Sequence, residues 1–305
     1  MKKIKIICVV GATASGKTSL GVEIAKALDG EIISADSMQV YKGMSVATAA
    51  ATEEEKQGVP HHLLEFLDSG EEFSVAQFVK LAKEKIFEID SRGRVPIIVG
   101  GTGLFIDSLV NNISFADVKT DESLRESLSK LSTDELYEKL TELDSKAAEN
   151  IHKNNRKRVI RALELCYSGT TKTEQNENSR LEESPFEALY IGVGYKDREK
   201  LYERINKRVD LMLEAGLVGE AERMLKNEGK TARQALGHKE LKPYIEGKTS
   251  LEEAAENLKR ETRRYAKRQL TWFRRNENTL WLYADEMGAD ELVNKAIGAA
   301  KQFLQ

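Results

Sequence analysis

Apolar residues fall in short β-branched blocks through the first hundred positions. These are "KIKIICVV" (Lys3–Val10), "EIISA" (Glu31–Ala35) and "PIIVG" (Pro96–Gly100), each closed by glycine or turn residues. Helical periodicity separates the blocks, and strands alternating with helices predict a parallel sheet with helices on both faces. From about Asn111 to Glu187 the pattern changes to charged, strand-poor sequence. In "DESLRESLSKLSTDELYEKLTELDSKAAENIH", Leu124, Leu128 and Leu131, then Leu136, Leu140 and Leu143, recur at helical spacing. Strand blocks return at "ALYIGVGY" (Ala188–Tyr195) and "TLWLYAD" (Thr279–Asp285), so the chain is expected to re-enter its first sheet. The pattern therefore predicts an α/β core over residues 1–112 and 188–305, with a helical insertion domain over residues 113–187. "SGTTKTEQNENSRLEESP" (Ser168–Pro185) is polar, with Gly and Pro near its ends, and reads as a mobile loop.

Composition narrows this picture only locally. The 47 Lys and Arg nearly balance 50 Asp and Glu, so no bulk basicity points to a nucleic-acid partner and any such surface must be local. Cys8 and Cys166 are far apart, without metal-ligand spacing, and fit a reducing cytoplasmic setting. Lys5 interrupts the apolar start, which argues against a secretion signal, and no apolar run reaches membrane-span length.

The first candidate chemistry follows the first strand. Gly11, Gly16, Lys17 and Thr18 fit G-x-x-x-x-G-K-[ST], with Ala12, Thr13, Ala14 and Ser15 between them. Small residues let backbone N–H groups converge on phosphate oxygens at a helix N-terminus; Lys17 adds a charge and Thr18 a hydroxyl for Mg²⁺. A nucleotide-hydrolysing enzyme also wants an acid after an apolar strand, but "VPIIVGGTG" runs into Gly100, Gly101, Thr102 and Gly103 instead. Asp36, after the second strand, lies where ligands of open sheets bind and could hold Mg²⁺ or take a proton; as an alternative it caps a helix. Thr102 sits among glycines that permit close ligand approach, or marks only a tight turn.

Local basicity is concentrated. Asn257–Arg275 carries eight Arg and Lys against Glu261, a local charge of +7, with Tyr265, Gln269 and Trp272 on one helical face. Such a stripe suits a nucleic-acid backbone, with aromatic rings available to stack on a base. The alternative is a solvated face whose aromatics pack inward. Lys153, Arg156, Lys157, Arg158 and Arg161 form a second cluster after the insertion's helices. Arg204 and Arg208, four residues apart, could grip a diphosphate or pair with Glu203 and Asp210. His61 and His62 stand beside Glu65, but adjacent side chains do not face one site, so no metal centre is expected there.

Taken in order, "GATASGKTSL", "IISADSMQVYKGM", "VPHHLLE", "PIIVGGTGLF", "NNRKRVIRALE", "LYERINKRVDLM" and "AKRQLTWFRR" resemble the tRNA dimethylallyltransferase family over nearly the whole chain. The resemblance implies a P-loop NTPase-like sheet flanked by helices, with an insertion that contacts tRNA. It implies transfer of a dimethylallyl group from dimethylallyl diphosphate to N6 of the adenosine at position 37, beside the anticodon, in tRNAs reading codons that begin with U. Residues Gly11 to Thr18, with Arg204 and Arg208, would hold the diphosphate, with Mg²⁺ on Thr18. Asp36, Thr102 and Lys17 would be catalytic. Asp36, Ser37, Met38, Gln39, Thr102, Lys157, Arg158, Val159, Ile160, Arg161, Gly237, His238, Arg264, Lys267 and Arg268 would contact the tRNA anticodon stem-loop. A cytoplasmic monomer with no membrane contact is expected. Three departures stand out: "ATAAATEEE" in place of a Gly-Thr-Ala-Lys-Pro run, Phe105 for Tyr, and His238 for Tyr. The competing readings are an isopentenyltransferase for free adenine nucleotide, a small-molecule kinase and a non-catalytic RNA-binding module.

Overall fold

A computed structural model describes residues 3–115, 121–178, 183–226 and 234–305. Among them, strands β1 (Ile4–Gly11), β2 (Gly30–Ser34), β3 (His61–His62), β4 (Val95–Gly100), β5 (Phe186–Gly194) and β6 (Leu280–Tyr283) form one sheet in the order β3-β2-β4-β1-β5-β6. Every pairing is parallel. All strands therefore point the same way, and the segments that follow β1, β2 and β4 leave from one edge, the edge where open parallel sheets bind ligands. Five of the six strands coincide with the apolar blocks. β3, only two residues long, carries too little apolar pattern to announce itself.

The chain divides into two compact units, Met1–Val110 with Pro185–Gln305, and Asn111–Ser184. In the first, helices α1 (Lys17–Leu28), α2 (Ser45–Thr48), α3 (Glu53–Lys56), α4 (Val75–Ser91) and α5 (Gly103–Val110) lie among the early strands. Ile6, Ile7, Cys8, Val9 and Val10 of β1 are all fully buried, so both faces of the sheet are covered. On one face Ile7, Val9, Ile32, Ile97 and Val99 pack against Leu20, Val22 and Ile24 of α1. This is why β1 reads as a continuous apolar run instead of an alternating one.

The second unit holds α6 (Glu122–Lys130), α7 (Thr133–Leu143), α8 (Ser145–Asn150), α9 (Arg156–Tyr167) and α10 (Lys172–Asn178). Leu128, Leu136, Leu140, Val159, Ala162 and Leu163 form its core, with Leu124 and Leu131 packed against them. Leu143 is the exception to the leucine pattern and stays exposed at the end of α7. α10 corrects the reading of Ser168–Pro185 as a loop. Thr171 accepts from the Glu174 N–H while Glu174 accepts from the Thr171 N–H, a reciprocal cap, and Asp144 takes the Thr173 N–H at 2.9 Å. Residues 179–182 of that stretch lie outside the described residues.

The chain then re-enters the sheet through β5 and continues with α11 (Arg198–Glu214), α12 (Leu217–Lys226), α13 (His238–Ile245), α14 (Leu251–Phe273) and α15 (Ala289–Leu304). α14 begins with a capping box between Ser250 and Glu253 and runs 23 residues, the longest helix described.

Candidate active site

The cradle after β1 is held open by backbone geometry. A Cβ on Gly11 would lie 2.6 Å from the Val193 carbonyl oxygen, so only glycine fits there. Ala14 adopts φ 60° and Gly16 φ 97°, and the Ser15 N–H closes the turn on the Ala12 carbonyl at 3.3 Å. Gly16 caps α1 without a side-chain acceptor, and no acid stands in the first turn, so amide N–H groups and the positive helix end remain available to an anion. Lys17 Nζ donates to the Ala12 carbonyl at 3.3 Å. Burial and the nearby Arg208 push the Lys17 amine down to about 8, against the opposing pull of Asp36.

α11 supplies both arginines singled out by their spacing. Arg204 Nε donates to the Ala14 carbonyl at 3.0 Å, bracing the cradle from outside. Arg208 Nη2 reaches the Thr48 carbonyl at 3.4 Å and lines the cavity; burial lowers its guanidinium, with Asp36 and Glu55 acting the other way.

Asp36 follows β2. Its Oδ1 accepts the Met38 N–H at 2.9 Å and the Gln39 N–H at 3.4 Å, an Asx turn that fixes the carboxylate at the cavity wall. The Ser37 N–H donates to Thr102 Oγ1 at 3.0 Å, and the Thr102 N–H donates to the Ala35 carbonyl at 3.1 Å, so the ends of β2 and β4 are tied together. A Cβ on Gly100 would meet the Ala35 carbonyl oxygen at 2.2 Å. That contact is the physical reason no acid can stand at the end of β4. Burial pushes the Tyr265 phenol well above its usual range, with nearby Asp36 acting the same way and Thr102 and Gln269 opposing it.

Gln269 is the joint that residue patterning left undetected. Its Oε1 accepts the Thr13 N–H at 2.8 Å and its Nε2 donates to the Gly101 carbonyl at 3.0 Å, locking α14 to the cradle and to the glycine run at once. Glu220 is a second. It accepts the N–H groups of Val46 and Ala47, each at 2.9 Å, and meets His238 Nε2 at 2.9 Å. Burial would raise Glu220, but these bonds outweigh it and hold the carboxyl below its usual range. Both are single polar residues in amphipathic helices, without any local sequence signal.

Lys17, Asp36, Arg208, Tyr265 and Gln269 line one cavity of about 260 Å³; Arg204, Thr102, Glu220 and His238 are not among its lining residues. One part of its wall is polar, with Thr13, Lys17, Thr18, Asp36 and Arg208; another is apolar, with Ala47, Val209, Met212, Leu236 and Leu258. Ser37, Met38, Gln39, Gly237, Tyr265 and Arg268 also line it. Gln39 has its amide fully engaged, with Ser34 on Oε1 and the Thr48 and Ala49 carbonyls on Nε2.

Other residues assigned to RNA contact are placed differently. His238 is fully buried on Glu220, so its side chain cannot touch an RNA; replacing Tyr, it supplies the donor that Glu220 needs. Val159 is fully buried in the second unit's core and Ile160 packs against that core. Arg161 Nη1 pairs with buried Glu164 at 3.0 Å, alongside Arg125. Lys157 and Arg158 are exposed, as are Arg264, Lys267 and Arg268 on α14. Trp272 and Phe273 turn inward: the indole Nε1 donates to Asp107 at 2.7 Å, and Phe273 is buried. Phe105 stacks on Phe78 with centroids 4.4 Å apart, a contact that requires no hydroxyl.

Comparison with known proteins gives a consistent result. A family model described as IPP transferase matches residues 39–276. A tRNA dimethylallyltransferase of Acetivibrio thermocellus is 50% identical over 299 residues, covering 95% of each chain. Another, from Caldanaerobacter subterraneus subsp. tengcongensis, is 46% identical over 292 residues, 93% of each chain. The solved tRNA isopentenylpyrophosphate transferase of Bacillus halodurans is 42% identical, with a TM-score of 0.75 over 99% of this chain and 97% of its own. A eukaryotic dimethylallyltransferase, described in its structure as acting on tRNA, superposes with a TM-score of 0.86 at 29% identity, over 99% of this chain and 79% of its own.

Proposed function

The chain belongs to the IPP transferase family, and from that premise we propose that it transfers the dimethylallyl group of dimethylallyl diphosphate to N6 of adenosine 37 in tRNAs reading codons that begin with U. The observation that carries this reading is the cavity itself. Lys17, Thr18 and Arg208 offer cationic and hydroxyl donors, Asp36 offers a carboxylate, and Met212, Leu236 and Leu258 offer an apolar wall, all around one space of about 260 Å³. A diphosphate bonded to a branched five-carbon chain needs that combination; a nucleotide base would need polar partners on the apolar side.

In this reading the amides of residues 13–18, with Lys17 and Arg208, bind the diphosphate and stabilise its charge as it leaves, while Arg204 braces the cradle from outside. N6 of the adenine attacks the allylic carbon, the carbon–oxygen bond to the diphosphate breaks, and the departing oxygen keeps the electron pair. Asp36 accepts the N6 proton, held in position by the Met38 and Gln39 N–H groups. Thr102 aligns the base, its hydroxyl held by the Ser37 N–H. The adenine must leave the anticodon stack to enter the cavity. Arg264, Lys267 and Arg268 on the first unit, and separately Lys157 and Arg158 on the second, offer exposed charge to RNA phosphates.

The donor set fits Mg²⁺. Thr18 and Asp36 offer oxygens, and no group of three His, Cys, Asp or Glu side chains among the described residues could cage an ion alone. A cation that retains waters and takes substrate oxygens suits such a site. When bound it supplies positive charge to the leaving diphosphate. No helix among the described residues is long and apolar enough to cross a membrane; a cytoplasmic monomer completes the proposal.

The test is to incubate the protein with radiolabelled dimethylallyl diphosphate, Mg²⁺ and unmodified tRNA, without ATP. Label in RNA, lost in Asp36→Ala while tRNA binding persists, is expected. ATP turnover in the absence of RNA, with no label transferred, would favour a kinase instead.

A further inference from the structure

The two histidines of "VPHHLLEF" are satisfied in different ways. His62 Nε2 lies 2.6 Å from Glu31 Oε2, which also binds Arg92 at 2.8 Å, so His62 belongs to an ion-pair cluster at the start of β2. His61 pairs in register with Ile32, and its Nδ1 lies 2.8 Å from the Val59 carbonyl oxygen. A carbonyl only accepts, so Nδ1 carries the proton and Nε2 presents a bare lone pair. Burial holds the imidazole below its usual range, despite the opposing Val59 bond, and keeps it neutral. Yet Nε2 is buried and has no hydrogen-bond partner among the described residues.

His61 lines a second, smaller cavity of about 20 Å³, together with Lys17, Thr18, Ser34, Asp36 and Gln39. That is room for one water molecule, which needs about 10–15 Å³, and Thr18, Asp36 and His61 Nε2 offer it polar partners beside an apolar wall of Ile32, Ala51, Leu64 and Val99. Lys17, Thr18, Asp36 and Gln39 line the larger cavity too, so the two spaces share the wall that carries the Mg²⁺ donors.

Resting on the diphosphate reading above, we propose that His61 is a positioning residue for the divalent cation. Its Nε2 accepts a hydrogen bond from a cation-bound water seated in the small cavity behind Thr18. Mg²⁺ keeps several of its waters, and such waters are strong donors. An acceptor whose other ring nitrogen is locked on a carbonyl selects one orientation of that shell. His61 thus tunes how tightly the cation joins the diphosphate without touching the diphosphate.

Calorimetric binding of inorganic diphosphate, measured in EDTA and in Mg²⁺, separates these roles. Wild type is expected to bind in EDTA and more tightly with Mg²⁺. His61→Phe, which fills the cavity and removes the acceptor, keeps the EDTA affinity and loses about 10-fold or more of the Mg²⁺ enhancement. His61→Gln, whose amide oxygen can replace Nε2, restores most of it. In wild type, the ¹⁵N resonance of His61 Nε2 should move when Mg²⁺ joins diphosphate and stay put with diphosphate in EDTA, a readout independent of variant folding. Equal Mg²⁺ enhancement in all three proteins, or an immobile Nε2 resonance, overturns the proposal. Failure of wild type to bind diphosphate in either condition overturns the cradle reading itself.

Discussion

Two sets of cations on the first unit invite comparison. Lys17 and Arg208 line a cavity, are held below their ordinary pKa ranges by burial, and contact the Ala12 and Thr48 carbonyls. Arg264 and Lys267 on α14, and Arg274 and Arg275 just past its end, are exposed, and Arg264 pairs with Glu261 one turn away. Charges in a partly desolvated cavity act strongly over short distances on a defined group. Exposed charges are screened within about 10 Å at 0.1 M salt and act additively on any polyanion. Residue type is the same in both sets, and placement divides them into chemistry and grip.

The sharpest way to break that division is at the residue between them. Asp36→Ala should lower kcat by about 10²–10⁴, the usual worth of a general base, and leave tRNA affinity within about twofold; single-turnover label transfer and filter binding measure the two. Lys17→Met should cost about 10²–10³ in kcat/KM, as for loss of a charge-stabilising donor, and leave the salt dependence of tRNA binding unchanged.

Gln269→Ala tests whether the two regions are mechanically joined through α14. It leaves the Thr13 N–H and Gly101 carbonyl without their partner, and should destabilise the protein by about 1–3 kcal/mol in urea unfolding. Arg264→Ala with Lys267→Ala should weaken tRNA binding about 10-fold and reduce the slope of log K against log salt by about 1–2, with kcat intact.

The smallest effect is a titration. Lys17 loses its charge as pH rises through about 8 in the free protein, so diphosphate affinity should fall above that pH. Lys17→Met should remove the inflection, read by calorimetry between pH 7 and 9.5.

Much of this layout was legible in the residues. Five strands were visible because parallel strands buried on both faces read as unbroken apolar runs, and the cradle because its backbone demands glycine at Gly11 and Gly16. Arg204 and Arg208 were legible because four residues make one helical turn. What stayed hidden was long-range. Gln269 and Glu220 act across 256 and 174 positions on backbone groups, which no local pattern encodes. The inward turn of Trp272 depends on Asp107, 165 residues away, so charge and aromatic spacing alone left both orientations open. The cap at Thr171 and Glu174 was a readable signal outweighed by the polarity of its surroundings.

The most direct measurement is single-turnover transfer of labelled dimethylallyl to tRNA, without ATP and with tRNA saturating, in wild type, Asp36→Ala and the Arg264→Ala/Lys267→Ala pair. Transfer at wild-type rate in the surface pair, with near-complete loss in Asp36→Ala, is the expected result. A surface pair that stays slow at saturation, or an Asp36→Ala protein that still transfers label, would contradict the separation of chemistry from grip.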